Sequence, residues 1–145
     1  MRTLIKTLML AVVALALGGC MQHNGNIGDW FGTWKVETIA VDGTEEADYS
    51  GNLFFQFQTD IVRMVEVGAY QSYSDRFGSW EDEGSTLVLD FTYKADVSGS
   101  FIPLPASHLD RARNLLHIDS KTSRHMQWTL DRPDGTTITY TLKKQ

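Results

Sequence analysis

Apolar and polar residues alternate with a period of two along most of the chain after residue 30, the pattern of strands with one buried face. Residues 32–41 put Trp34 and Val36 on one side, Lys35 and Glu37 on the other. Residues 53–58 align Leu53, Phe55 and Phe57, and residues 86–91 align Leu87, Leu89 and Phe91. Residues 124–130 set Met126, Trp128 and Leu130 on one face, and residues 136–143 do the same with Ile138, Tyr140 and Leu142. Between these two, Arg132-Pro133-Asp134-Gly135 reads as a hairpin turn, Pro fixing φ and Gly supplying a positive one. Residues 61–67, 76–82 and 115–119 complete a set of eight strands.

The strand at 61–67 leaves its inward face open. If Ile61, Val65 and Val67 point inward, Arg63 goes with them; if Val62 and Met64 do, Glu66 follows. The three apolar neighbours on its face favour Arg63. A buried charge needs a partner, supplied either by the protein or by a ligand.

Eight short strands with mostly tight turns predict an all-β antiparallel barrel or sandwich. In up-and-down order, the short links at 59–60, 83–85 and 120–123 share one end with both termini. The longer links at 42–52, 68–75 and 92–114 fall at the other end. The shape is a cup, pinched at one end and dressed with loops at the other. In the long link, Ser107 and Asp110 have capping-box spacing, and Leu109, Ala112 and Leu116 share a helical face. A short helix is expected there, as a lid or plug.

The first residues read as an address. Arg2 and Lys6 precede ten apolar residues at 8–17, followed by Gly18-Gly19-Cys20, which is the layout of a secretory signal. Ten apolar residues are too few for a bilayer span, which needs about 20. Leu17-Gly18-Gly19-Cys20 resembles a bacterial lipobox, which implies that Cys20 is lipidated and becomes the first mature residue. The expected organisation is a signal at 1–19, a lipidated Cys20 with a flexible tether through residue 29, and a β-barrel domain at 30–145. Cleavage leaves 126 residues and moves the formal charge from −5 to −7. A coil of the tether's length reaches about 15–18 Å, so the closed end sits near the bilayer and the mouth faces away. Met21 after Cys20 points to outer-membrane delivery within the bacterial cell envelope.

Gly32-Thr33-Trp34, entered from Ile27-Gly28-Asp29-Trp30-Phe31, resembles the signature of the lipocalins. The mature chain as a whole is similar to small bacterial lipocalin-like lipoproteins of unknown function. The resemblance implies an eight-stranded up-and-down lipocalin-like barrel whose base is closed by a 3₁₀ turn. It also implies that Trp34 packs inside against a basic side chain of the last strands: Arg124, Lys143 or Lys144. The chain departs from the family pattern in being short, in having no second Cys for a disulfide and in lacking a helix after its last strand.

That reading makes the protein a membrane-anchored binder of a small apolar or amphipathic molecule at the loop-rich end. Phe55, Trp128 and Tyr140 are the candidate ligand contacts in the interior, with Arg63, Tyr70 and Tyr73 nearer the mouth, where Tyr49, Tyr93 and Phe101 also fall. The alternative is a barrel filled by its own aromatics, whose loops dock on an envelope protein or inhibit a hydrolase. Negative charge without a basic block argues against a nucleic-acid partner, and a single Cys excludes an internal disulfide or a Cys-based zinc site. His117 and His125 as a metal pair, and Glu45-Glu46 or Glu81-Asp82-Glu83 as catalytic carboxylates, are weighed below their solvent-facing readings. No catalytic residue, metal or cofactor is therefore assigned, and the protein is read as a binder rather than an enzyme.

Overall fold

The computed structural model describes residues 28–92 and 101–145; Cys20, the signal and Tyr93 lie outside them. The strands are β1 (Gly32–Val41), β2 (Thr44–Glu45), β3 (Leu53–Gln58), β4 (Ile61–Val67), β5 (Tyr73–Asp82), β6 (Thr86–Asp90), β7 (Arg113–Lys121), β8 (His125–Asp131) and β9 (Thr137–Lys144). From β3 to β9 each strand pairs with the next, and β1 pairs with both β3 and β9, closing the ring. β2 is a two-residue stub folded back on the end of β1. The result is a closed eight-stranded antiparallel up-and-down barrel, which leaves no free sheet edge around its girth.

The inward faces follow the period-two pattern. Leu53, Phe55 and Phe57 of β3, Leu87 and Leu89 of β6, Met126, Trp128 and Leu130 of β8, and Ile138, Tyr140 and Leu142 of β9 are all buried in one core. β1 departs from strict alternation. Its register with β9 shifts between Val36 and Thr38, so Trp34 and Val36 point inward before the irregularity and Ile39 after it. The Tyr49 hydroxyl spans this spot, donating to the Val36 carbonyl at 2.9 Å and accepting from Leu53 N at 3.2 Å. Burial pushes its pKa up to about 12, against the lowering effect of the Leu53 N–H.

The long connection departs further from expectation. Its short helix is one 3₁₀ turn, Pro105–Ser107, which ends at the residue expected to begin an α-helix. Pro105 stands at the start of this turn, where its missing N–H costs nothing. Ser107 Oγ donates to the Leu104 carbonyl at 2.7 Å and accepts from Leu109 N at 3.2 Å, but His108 between them adopts a left-handed φ of 56°, so no helix follows. The chain then enters β7 at Arg113, so Leu109 and Leu116 are buried from different elements. Without the helix, the segment still packs on the core through Leu104 and Leu109.

Candidate functional site

At the closed end the 3₁₀ turn Gly28–Trp30 lies across the barrel base. Trp34 is fully buried and donates its indole N–H to the Trp30 carbonyl at 3.0 Å. Lys144 supplies the basic partner: its ammonium lies 5.2 Å from the Trp34 ring centroid and donates to the Asp29 carbonyl at 2.8 Å. Arg124 and Lys143 are both exposed, and Arg124 meets Lys144 through its main-chain carbonyl. Trp30 has its own clamp. Its indole donates to Asp82 at 2.7 Å, and Lys121 reaches the same carboxylate at 2.8 Å and the Trp30 ring at 5.1 Å. Burial alone would raise the Asp82 pKa, but the bonds from Lys121, Trp30 and Gly84 outweigh it and hold the carboxyl below its usual value.

Above the base, the interior is occupied by side chains. Trp30, Phe57, Trp80 and Trp128 form an aromatic cluster with ring centroids 5.0–6.0 Å apart, and Phe55 meets Trp128 edge-on at 5.3 Å. Phe55, Trp128 and Tyr140 are thus brought together, each at most 1% exposed. Three polar contacts hold the plug over them. The Tyr140 hydroxyl donates to the Ser107 carbonyl at 2.6 Å, Glu66 accepts from Ala106 N at 3.2 Å, and His108 meets Glu46 at 2.9 Å.

β4 settles its inward face as Val62, Met64 and Glu66, correcting the preference for Arg63. Two fully buried neighbours outweigh the longer apolar count, because Ile61 and Val67 sit at exposed strand ends. Arg63 lies on the outer wall, bonded to Asp75 at 2.9 Å and Gln56 at 3.1 Å. The rings of Tyr73 and Phe77 are each 5.5 Å from its guanidinium.

The rim carries the exposed aromatics. Between β4 and β5 the turn Ala69–Gln71 is closed by Ser72 N to the Ala69 carbonyl, and both central residues, Tyr70 and Gln71, have positive φ. That conformation is normally left to Asn and Gly, and Tyr70 stands wholly in solvent. Tyr73 is 64% exposed beside it. Tyr73, Glu66, Arg76, Ile102 and Pro103 line a cleft of about 410 Å³ between this turn and the plug segment. Arg76 spans its floor, donating to the Ile102 carbonyl at 2.5 Å. Sequence reasoning missed Arg76 because it began this strand at residue 76, whereas β5 starts at Tyr73 and carries Arg76 within it. Phe101 stacks on Phe91 at 5.6 Å and takes no part in the cleft.

The structure does not bring the two histidines together: His117 stands opposite Thr129, and His125 opposite Lys143. Glu46 lies at the mouth with His108, whereas Glu81, Asp82 and Glu83 lie at the base. Among the described residues no three His, Cys, Asp or Glu side chains are grouped to hold a metal ion.

No protein-family model matches the chain, and no curated protein is similar to it. Solved structures are. A lipocalin-like protein from Bacteroides uniformis superposes with a TM-score of 0.59 at 15% identity, covering 81% of this chain and all of that one (100%). An uncharacterized protein from Bacteroides eggerthii gives a TM-score of 0.58 at 15% identity, covering 80% and 99%. At such identity the likeness is one of fold. This chain adopts the lipocalin-like barrel.

Proposed function

We propose that the protein is a lipid-anchored binding protein of the bacterial envelope, attached to the outer membrane through Cys20, that takes up a small, partly apolar molecule at its loop-rich end. The seat is the rim cleft, not the barrel interior. The observation that carries this reading is the cleft itself: its volume falls in the range of small-molecule sites, an exposed Tyr73 and Ile102 flank it, and Arg76 and Glu66 supply polar groups. Phe55, Trp128 and Tyr140 line the interior as packing beneath the plug. The action is sequestration or delivery, without covalent chemistry.

The experiment is native mass spectrometry of protein purified from its own host. A bound small molecule that is lost from Tyr73→Ser or Ile102→Ser protein supports the reading; its retention in both variants contradicts it. Acyl chains on Cys20, and release of a Cys20→Ala variant from membranes, test the anchor separately. One observation favours a second reading, a protein partner: Tyr70 is fully exposed on a strained turn, the arrangement of a residue held for contact. A discrete protein adduct to a photo-reactive residue placed at position 70 would support it.

A further inference from the structure

Cations without carboxylates gather at one corner of the barrel, at and above its base. Among the described residues, Arg63, Arg111, Arg113, Lys121 and Arg132 each meet an aspartate in an ion pair, and Arg76 is held by two main-chain carbonyls. The other lysines and arginines, Lys35, Arg124, Lys143 and Lys144, enter no ion pair among the described residues. All four stand on β1, on β9 or just before β8, and the ladders make them neighbours. Lys35 lies directly across from Lys143, and Lys143 across from His125. The Arg124 carbonyl accepts from Lys144 N at 2.9 Å. Like charges placed opposite one another on paired strands repel, and no carboxylate of the protein offsets them here.

Three further observations say what does. First, this corner belongs to the end from which the chain leads back to Cys20. Residues 20–27 separate that cysteine from the base turn at Gly28, and a chain of this length spans at most about 28 Å when fully extended. Second, Phe31 beside the turn is 53% exposed, an apolar ring next to the cations. A cleft of about 520 Å³ lined by Ser123, Arg124, Lys144 and Gln145 opens in the same place. Third, the exposed carboxylates of the base, Asp60, Glu81 and Glu83, lie across the barrel at the β3–β4 and β5–β6 turns. The base therefore has a cationic side and an anionic side.

We infer that the cationic corner is a contact surface for anionic phospholipid headgroups, which holds the barrel leaning on β8, β9 and β1 with its mouth clear of the bilayer. Guanidinium and ammonium groups suit phosphate oxygens. Each basic side chain near an anionic membrane strengthens attachment about fivefold. The inference rests on the proposed anchor at Cys20, because so few cations hold a protein of net charge −5 at a surface only when it is already tethered there.

The test uses protein purified from its own host with a polarity-sensitive fluorescent residue at position 123, added to vesicles of phosphatidylcholine or of phosphatidylglycerol. Flotation with both kinds of vesicle reads the anchor. A blue shift at position 123 is expected on phosphatidylglycerol alone, reversed by about 0.5 M salt. The same residue at position 134, in the β8–β9 turn at the mouth, should show none. Arg124→Gln combined with Lys143→Gln changes two exposed side chains and should abolish the shift while flotation persists. The inference alone is overturned if floating protein shows no shift, an equal shift on both lipids, or a shift that the double variant keeps. Protein that floats with neither vesicle overturns the anchor and this surface together.

Discussion

The Tyr140 hydroxyl donates to the Ser107 carbonyl at 2.6 Å, joining β9 to a plug residue 33 positions earlier. Both residues are completely buried, so this bond fixes the plug from beneath, out of reach of water. Burial raises the Tyr140 pKa far above its ordinary value; Arg132 opposes this weakly, and Asp110 and Glu46 add to it. The group therefore remains a protonated donor wherever the protein is folded.

Tyr140→Phe keeps the ring and removes the donor, leaving the Ser107 carbonyl unpaired. A loss of about 1–3 kcal/mol is expected, read as a lower urea midpoint. The loosened plug should also admit an apolar dye that the parent excludes.

The base tests which cation matters. Lys144→Gln removes the charge over Trp34 and the bond to Asp29, and should cost about 1 kcal/mol. Lys143→Gln and Arg124→Gln change exposed side chains and should stay within about 0.5 kcal/mol of the parent. Thermal melts of the three variants separate the cases.

Asp82 gives a pH dependence with a definite sign. Its folded pKa lies below the usual carboxylate value, so its stabilising effect is complete above the unfolded pKa of about 3.9 and is lost as pH falls through the folded one. Asp82→Asn should therefore be less stable than the parent near neutrality and converge with it at about pH 2. Urea midpoints across that range measure the convergence.

Gly78 is needed for room. A Cβ there would lie 2.3 Å from the Asp90 carbonyl oxygen, a main-chain atom locked in the β5–β6 ladder. Gly78→Ala should cost about 1–3 kcal/mol. Gly84→Ala meets no neighbour within 4 Å but carries a φ of +86°, so its cost is backbone strain alone, about 1 kcal/mol. Chemical denaturation of both variants ranks the two effects.

Strand positions were legible in the sequence because one buried face imposes a period of two, and β3, β8 and β9 obey it from end to end. The register shift in β1 was not, since an extra residue changes the phase without changing composition. The plug was misread for a related reason. Leu109, Ala112 and Leu116 do have helical spacing, but Pro105 and the left-handed His108 turn the chain before a second helical turn can form. The inward face of β4 was decided by the strand's exposed ends, which periodicity does not see. The aromatics of the interior were found by counting, whereas Arg76 at the rim had no local signal.

Central to this account is a barrel filled by its own side chains, with recognition displaced to the rim. Apolar cavities bind xenon, so crystals of the protein pressurised with xenon give the most direct measurement. The account predicts no xenon between Phe55, Trp128 and Tyr140. A xenon atom occupying that space would contradict it and return the ligand site to the interior.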